Sequence, residues 1–405
     1  MPNVAIPYRV DVALGRGSEG CGISREDALS LMEEAPLSAL LQTAAAVRDR
    51  FKGNSVSYSR KVFIPLTHLC RDYCGYCTFR ADPQAGVRPY MTPDEVLAVA
   101  DAGRRAECKE ALFSLGDQPE RVFPEAKEFL KTLGFETTLE YLAAMSELVL
   151  LKTGLLPHSN PGVMGAEDLF RLRESNVSVG LMLESASLRL MRPGEAHWRA
   201  PDKVPSLRLK TIENAGQLSM AFTTGILIGI GETREERVDA LLAIRAAHEK
   251  YGHVQEVIIQ PFRVKPDIRM YLAPEPSNED LLRTIAVARL IVGGKMNLQS
   301  PPNLLSQDYP DLLTAGINDW GGISPVTKDF INPEAAWPQI SSLAERTANA
   351  GFVLRERLAI YPEFSSGLEF SSRPVFIKER LQPYVRKLQG ADGYAQGSVT
   401  NAEIS

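Results

Sequence analysis

The chain has no basic block. Its 405 residues carry 45 Lys and Arg against 50 Asp and Glu, a net charge of −5. Nucleic acid is therefore not an expected partner, because a phosphate backbone demands a concentrated cationic footprint. A long uncharged apolar run is missing too. The strongest, AFTTGILIGIG from Ala221 to Gly231, is too short to cross a bilayer and holds glycines at a strand-to-loop junction. The opening MPNVAIPYRVD shows neither the basic start nor the apolar stretch of a secretory leader, so no membrane association and a cytoplasmic location are expected. Cysteine is scarce, with five in all. An odd number, three of them clustered, argues against a disulfide framework and agrees with a reducing compartment.

In bulk the composition is ordinary, 44% hydrophobic and 23% charged, enough for a substantial core. One segment is not ordinary. Cys70, Cys74 and Cys77 fall in VFIPLTHLCRDYCGYCTFR with the spacing C-x-x-x-C-x-x-C, directly after a short apolar run. Three thiolates so placed can hold three irons of a cubane [4Fe–4S] cluster and leave the fourth without a protein ligand. A structural zinc site wants four ligands in paired spacings, and the second pair is missing. His68 could complete such a set only as a cramped ligand. Cys108 lies in a helical pattern and reads as a small buried hydrophobe; Cys21 is assigned no role.

Residues 1–58 are expected to form an N-terminal helical extension, with Ser24 and Asp27 marking one helix start. Strand-like runs then alternate with helical patterns at 62–67, 111–116, 155–159, 177–184, 222–228, 254–262 and 297–300, with an eighth expected within 312–318. Nearly continuous apolar strands separated by helices predict an α/β fold, a TIM-like barrel over 59–340, complete or partial. Residues 341–405 are expected as a helical extension, with a polar, frayed tail from about Leu388. The loop RPGEAHWRAPDKVPS, 192–206, reads equally as a lid or a surface excursion.

Chemistry in such barrels sits on the loops after the strands, and polar residues gather there. In SLGDQPE, Ser114 and Gly116 offer backbone groups beside the carboxylate of Asp117, a combination suited to an ammonium group or to an ordinary turn. Glu184 ends the fourth strand. GILIGIGET places Gly225, Ile228 and Gly229 where a backbone can approach a ligand closely. Glu232 there competes with a structural reading, because Thr233 and Glu236 form a T-x-x-E capping box. His158 and Asn160, in LLPHSNPG, suit proton transfer or substrate hydrogen bonding, or the tying down of a loop. Arg263 and Lys265 could hold a carboxylate or ring carbonyl. Asn303, Asn318, Asp319 and Trp320 lie at further strand ends.

The cysteine triplet, with Tyr76 before its last member, resembles the signature of radical S-adenosylmethionine enzymes. That resemblance implies two cofactors: the [4Fe–4S] cluster, and S-adenosyl-L-methionine chelating its open iron. Cleavage of the latter gives a 5′-deoxyadenosyl radical. Leu115-Gly116-Asp117 departs from the superfamily's Gly-Gly-Glu but keeps one glycine and the acid, implying contact with the methionine amine. Glu184 matches a ribose-binding acid, and Gly225 to Thr233 matches the segment beside the adenine.

From about Tyr58 to Trp337, the strings ALFSLGDQPE, LLPHSNPGVM, FTTGILIGIGET, QPFRVKP, KMNLQSPPNL and GINDWGGISPVT resemble the radical subunit of the FO synthase family. The resemblance implies the deazaflavin step of coenzyme F420 biosynthesis. A second radical subunit would join tyrosine's hydroxybenzyl group to a ribitylaminouracil. This chain would then convert that small-molecule adduct to the deazaflavin with loss of ammonia, supplied with electrons by a reductant such as flavodoxin or ferredoxin. With a single triplet, the second activity is expected on a separate protein. The alternatives are the tyrosine-adding partner, a futalosine-pathway enzyme, or an iron–sulfur electron carrier.

Overall fold

The computed structural model describes residues 6–305, 309–365 and 375–397. Short strands that cannot satisfy their backbone groups alone pair in chain order, all parallel: β1 (Ser55–Pro65), β2 (Glu110–Ser114), β3 (Leu156–Asn160), β4 (Ser178–Gly180), β5 (Phe222–Ile228), β6 (Val254–Pro261), β7 (Asn297–Gln299) and β8 (Asp319–Ile323). The pairing of β1 with both β8 and β2 closes the barrel. Apolar continuity follows from burial on both faces, and all seven residues of β5 are buried.

The helices form an outer ring. Three precede the barrel: α1 (Tyr8–Ser18), α2 (Arg25–Glu34) and α3 (Leu37–Lys52). Ser24 caps α2 by accepting from the Asp27 N–H. They pack on the barrel's outer layer, where buried Arg48 of α3 donates to the carbonyls of Leu313 and Ile317. Within the barrel come α4 (Pro93–Arg105), α5 (Pro124–Thr132), α6 (Thr138–Thr153), α7 (Ala166–Leu172), α8 (Pro205–Gln217), α9 (Arg234–Tyr251), α10 (Asn278–Val292) and α11 (Asp311–Thr314). Capping boxes start α4, α6 and α9, the last formed by Thr233 and Glu236.

Four expectations need correction. β1 begins at Ser55 rather than 62, because its first half is polar on the inside: Ser57 bonds Asp319 and Ser59 bonds Glu110. The stretch 312–318 is the helix α11 and a turn, and the eighth strand is the next segment, DWGGI. β4 stops at Gly180, well short of 184, and Glu184 keeps only an isolated bridge to Ile226. The C-terminal extension is not purely helical. After α12 (Ile340–Asn349), β9 (Val353–Arg357) pairs in parallel with the first half of β1. Then follow α13 (Pro362–Ser365) and α14 (Gln382–Leu388). Past Leu388 the chain is tied down through the Ala395 N–H to the Glu356 carbonyl, and 398–405 lie outside the described residues.

β9 delivers Arg357 to the barrel floor, where its guanidinium meets Asp319 at 2.7 Å and Glu256 at 3.0 Å, all three buried. Removing one partner from a buried ion cluster leaves charges uncompensated. Arg357→Met is expected to cost roughly 3–5 kcal/mol, read as a lower denaturant midpoint; an unchanged midpoint would show the cluster to be dispensable.

Candidate active site

The loop leaving β1 carries the cysteines. It is closed by His68, whose carbonyl accepts from the Ala81 N–H and whose Nδ1 lies 3.0 Å from the Phe79 carbonyl oxygen. His68 does not line the cysteine cavity, which removes it as a fourth ligand. Cys70, Cys74 and Cys77 share one wall of a cavity of about 230 Å³ at the strands' C-terminal ends. Cys70 Sγ accepts N–H bonds from Asp72 at 3.4 Å and Asp117 at 3.2 Å. Gly116 seats the loop on the end of β2: a Cβ there would overlap the Leu69 carbonyl and come within 2.6 Å of Cys70 Cβ.

Burial pushes the Cys70 thiol up to about 12 and the Cys74 thiol well above its ordinary value. A thiolate here requires a cation beside it, which is what iron supplies. Three thiol groups lining one cavity, two of them with that requirement, and no fourth beside them among the described residues, fit a cluster with one open iron.

Facing the cysteines is a dense set of charges. Asp117 pairs with Arg71 through Oδ2, while its Oδ1 is buried without a partner. Carboxylate oxygens of Asp72, Asp117 and Asp202 lie within 4.8 Å of one another. Arg208 donates to Asp202 at 2.9 Å, and Asp202 N–H donates to Asp72. Burial, then the neighbouring Asp202, pushes the Asp72 carboxyl well above its ordinary value. Burial also opposes charge on Asp202, but Lys203 and Arg208 outweigh it and hold this carboxyl low. Glu184 sits in the left-handed region at φ 65 and meets Lys203 at 3.1 Å. It too is buried, yet Lys203 and Arg208 keep it below its usual range. Tyr76 Oη lies 3.3 Å from His197 Nε2.

The loop 192–206, open to two readings from sequence, thus sends His197, Asp202 and Lys203 inward. Arg71, Asp72, Asp202, Lys203 and Arg208 are site residues that motif reading missed. The only sequence signal is a cluster of charges in two loops and at the start of α8, which solvated segments also show.

Deeper in the barrel a second cavity of about 170 Å³ adjoins the first, with Ser114, Asn160, Met182, Gln260 and Asn332 lining both. Its walls are mixed: Lys61, Glu110, His158, Gln255, Gln299 and Arg357 stand among apolar groups that include Phe63, Leu112, Ile258 and Trp337. Lys61 reaches Glu110 at 3.3 Å by passing over Gly322, where any side chain would collide with it. Burial disfavours charge on Glu110, but Lys61 and its other cationic neighbours hold it at about 2. Burial pushes His158 down to about 4, against the pull of Glu110. Ser178 Oγ donates to the Ala359 carbonyl at 2.5 Å and lies 2.6 Å from His158 Nδ1. That orientation makes Nδ1 the donor and leaves Nε2 with its lone pair.

The structure therefore brings Cys70, Cys74, Cys77, Tyr76, Ser114, Gly116, Asp117, Asn160, Glu184 and Arg263 to the upper cavity, and His158 to the lower. Arg263 is already engaged, by the Leu304 carbonyl at 2.6 Å and Glu275 at 2.7 Å. Gly225, Ile228 and Gly229 do not line either cavity; Gly225 lies against the β6 backbone at Ile258, and Leu227 faces the cavity instead. Glu232 accepts from the N–H groups of Gly229 and Ile230, each at 2.8 Å, and pairs with Arg237, a structural arrangement. Asn318 binds Arg289, and buried Trp320 donates to Thr347, so both hold the scaffold.

An open three-thiolate site at the mouth of a closed parallel barrel is the arrangement of radical S-adenosylmethionine proteins, and residues 64–244 match the Radical SAM superfamily. Over 341 residues the chain is 48% identical to 7,8-didemethyl-8-hydroxy-5-deazariboflavin synthase of Methanopyrus kandleri, covering 84% of this chain and 100% of that one. It is 46% identical over 401 residues to FO synthase of Streptomyces avermitilis, covering 96% of this chain and 46% of that one. The chain thus spans about half the length of the FO synthases it matches. Among solved structures, methylornithine synthase (PylB) aligns with TM-score 0.65 at 20% identity over 84% of this chain and 96% of that one. The FeFe-hydrogenase maturase HydG from Carboxydothermus hydrogenoformans aligns with TM-score 0.69 at 17% identity over 86% and 80%. At that identity the likeness is one of fold. The chain belongs to the 7,8-didemethyl-8-hydroxy-5-deazariboflavin synthase family of the radical S-adenosylmethionine superfamily. The cofactors of that superfamily are a 4Fe–4S cluster and S-adenosylmethionine, and the donor set described above fits both.

The seat at Gly116 is testable. Gly116→Ala is expected to lower the iron and sulfide retained after anaerobic reconstitution by more than half while the circular dichroism melt is preserved. Full iron content in the variant would show that the close approach is not needed.

Proposed function

We propose that this chain is the deazaflavin-forming radical enzyme, a lyase and cyclase that converts the hydroxybenzyl–ribityluracil adduct to 7,8-didemethyl-8-hydroxy-5-deazariboflavin with loss of ammonia. The observation that carries the reading is the lower cavity joined to the cysteine cavity: its Lys61, Glu110, His158, Gln255 and Gln299 offer hydrogen-bond partners for a ring with carbonyls and for a polyol, and its Phe63 and Trp337 offer apolar surface for an aromatic ring. The adduct would come from a second radical activity that joins the hydroxybenzyl group to the ribitylaminouracil. Electrons would come from a flavodoxin or ferredoxin in a reducing cytoplasm, and no described helix is long and apolar enough to cross a membrane.

When bound, the reduced cluster and S-adenosylmethionine supply a 5′-deoxyadenosyl radical for hydrogen abstraction. The protein's part is placement and proton handling. Cys70, Cys74 and Cys77 hold the cluster. The unpartnered Oδ1 of Asp117, flanked by the backbone of Ser114 and Gly116, receives the methionine ammonium. Glu184, fixed by Lys203, accepts from ribose hydroxyls beside Tyr76. Gly225, Ile228 and Gly229 serve by seating β5, so that Leu227 lines the wall. Asn160, at the junction of the two cavities, orients the substrate. Arg263 shapes the rim through its bonds to Leu304 and Glu275. His158 Nε2 takes the proton released on ring closure, its tautomer set through Ser178.

Anaerobic turnover of the reconstituted, reduced protein with S-adenosylmethionine and the adduct tests this reading. Deoxyadenosine and the fluorescent deazaflavin are expected together; deoxyadenosine alone would overturn the substrate assignment. Cys74→Ala is expected to abolish both. His158→Gln is expected to retain deoxyadenosine formation while deazaflavin falls about 10²- to 10⁴-fold, the range for loss of a general base. Burial keeps His158 neutral down to about 4, so its contribution should be lost only as the pH falls toward that value. Equal loss of both products in His158→Gln would instead place the residue in cofactor binding.

A further inference from the structure

Two outer segments clamp the cysteine loop at Gly75. The Gly75 N–H donates to the Ala196 carbonyl at 2.7 Å, and the Gly75 carbonyl accepts from the Met270 N–H at 3.0 Å. A Cβ at Gly75 would lie 3.0 Å from Met270 Cγ and 3.2 Å from Arg269 Nη2, and Arg269 is exposed. A single layer of side chains thus separates the residue between Cys74 and Cys77 from solvent.

That cover has an unusual composition. Arg199, in the left-handed region at φ 64, stacks its guanidinium 4.6 Å over Tyr73, which also carries the Arg80 guanidinium at 3.5 Å and donates its hydroxyl to Asp82. Arg269 lies 5.4 Å over Trp198. Exposed apolar groups continue the patch: Trp198 at 38%, Tyr271 at 55% and Leu272 at 81%. Arg199 and Arg269 have no ion pair among the described residues, whereas Arg80 is neutralised by Asp82 and Glu195 is engaged by Arg189. Asp267 is the one nearby acid without a partner among the described residues. On a chain of net charge −5, a cationic rim around Trp, Tyr and Leu is a local inversion. Arginine and aromatic groups are the residues that dominate interface cores.

We propose that the Trp198–Arg199 and Arg269–Leu272 surface is the docking face for an acidic one-electron carrier protein, which delivers its electron to the cluster across the Gly75 clamp. The inference rests on the functional reading above, since only a cluster that must be reduced needs such a face. The step is a single electron transfer: the carrier is oxidised by one electron and the cluster reduced by one, with no bond made or broken. Guanidinium groups that no carboxylate among the described residues neutralises steer an acidic partner to the face, Arg269 being held there by the Glu195 and Trp198 carbonyls, and the exposed apolar groups supply the desolvated centre.

The test compares two donors to the reconstituted protein, reduced flavodoxin as the acidic carrier and methyl viologen radical as a small cationic one. Cluster reduction is followed by stopped-flow absorbance and by electron paramagnetic resonance. Oxidised flavodoxin binding is measured by calorimetry. Arg199→Glu with Arg269→Glu is expected to slow reduction by flavodoxin at least about tenfold at low salt, to weaken its binding in parallel, and to flatten its salt dependence. Reduction by viologen is expected to stay unchanged. Leu272→Ser, which leaves every charge in place, is expected to weaken binding without altering the salt dependence. Flavodoxin reduction within twofold of the unaltered protein would overturn the assignment. So would an equal slowing by both donors, which would mean that the arginines act on the cluster loop itself. Failure of the functional reading looks different: normal reduction by both donors, with no deazaflavin formed.

Discussion

The seat of the cysteine loop on the end of β2 is the contact on which the site depends. Backbone meets backbone at Gly116, and the N–H groups of Asp72 and Asp117 turn toward Cys70 Sγ. Because the loop is pressed this closely to the strand, the three thiol groups face one cavity, and Asp117 is carried to the same wall. Burial makes the Cys70 and Cys74 thiols hard to ionise without a cation, so geometry and electrostatics both fit a metal. Iron–sulfur chemistry is in this sense a consequence of where a single glycine lets two segments meet.

A second constraint runs through the barrel interior. Most small parallel barrels fill their centre with branched apolar side chains. Here β1, β6, β8 and β9 bring Lys61, Glu256, Asp319 and Arg357 inward, and the centre is a buried polar layer over an ion cluster. Such groups are costly to bury and are tolerated when each finds a partner. Gly322 belongs to this arrangement, because a side chain at that position would block Lys61.

How much of this could be read from sequence follows from the range of each interaction. The cysteine spacing, the strand–helix alternation and the capping boxes are local, and the barrel, the cap at Ser24 and the box at Thr233 and Glu236 are found where the pattern places them. Polar strands were the weak point. Both β1, with its inward serines, and β8, with its paired glycines, lack the apolar signature because they face a polar interior. β9 was missed for a related reason: VLRER alternates too weakly to reveal that Arg357 points into an ion cluster. The charges opposite the cysteines were out of reach altogether. Asp202, Lys203 and Arg208 gain their meaning only when a loop some 130 residues further along the chain folds back, as the Asp202 N–H bond to Asp72 records. Gly225 and Ile228 belong to a motif legible in the sequence, yet they do not line either cavity, where Leu227 faces inward instead.

The central claim is that three thiolates leave one iron open to S-adenosylmethionine in the upper cavity. Low-temperature electron paramagnetic resonance of the reconstituted, reduced protein tests it most directly, recorded with and without S-adenosylmethionine. The account predicts a 4Fe–4S signal whose g-values shift when the compound is added, as its amino and carboxylate groups reach the open iron. An identical spectrum in both samples, from protein with full iron content, would contradict it.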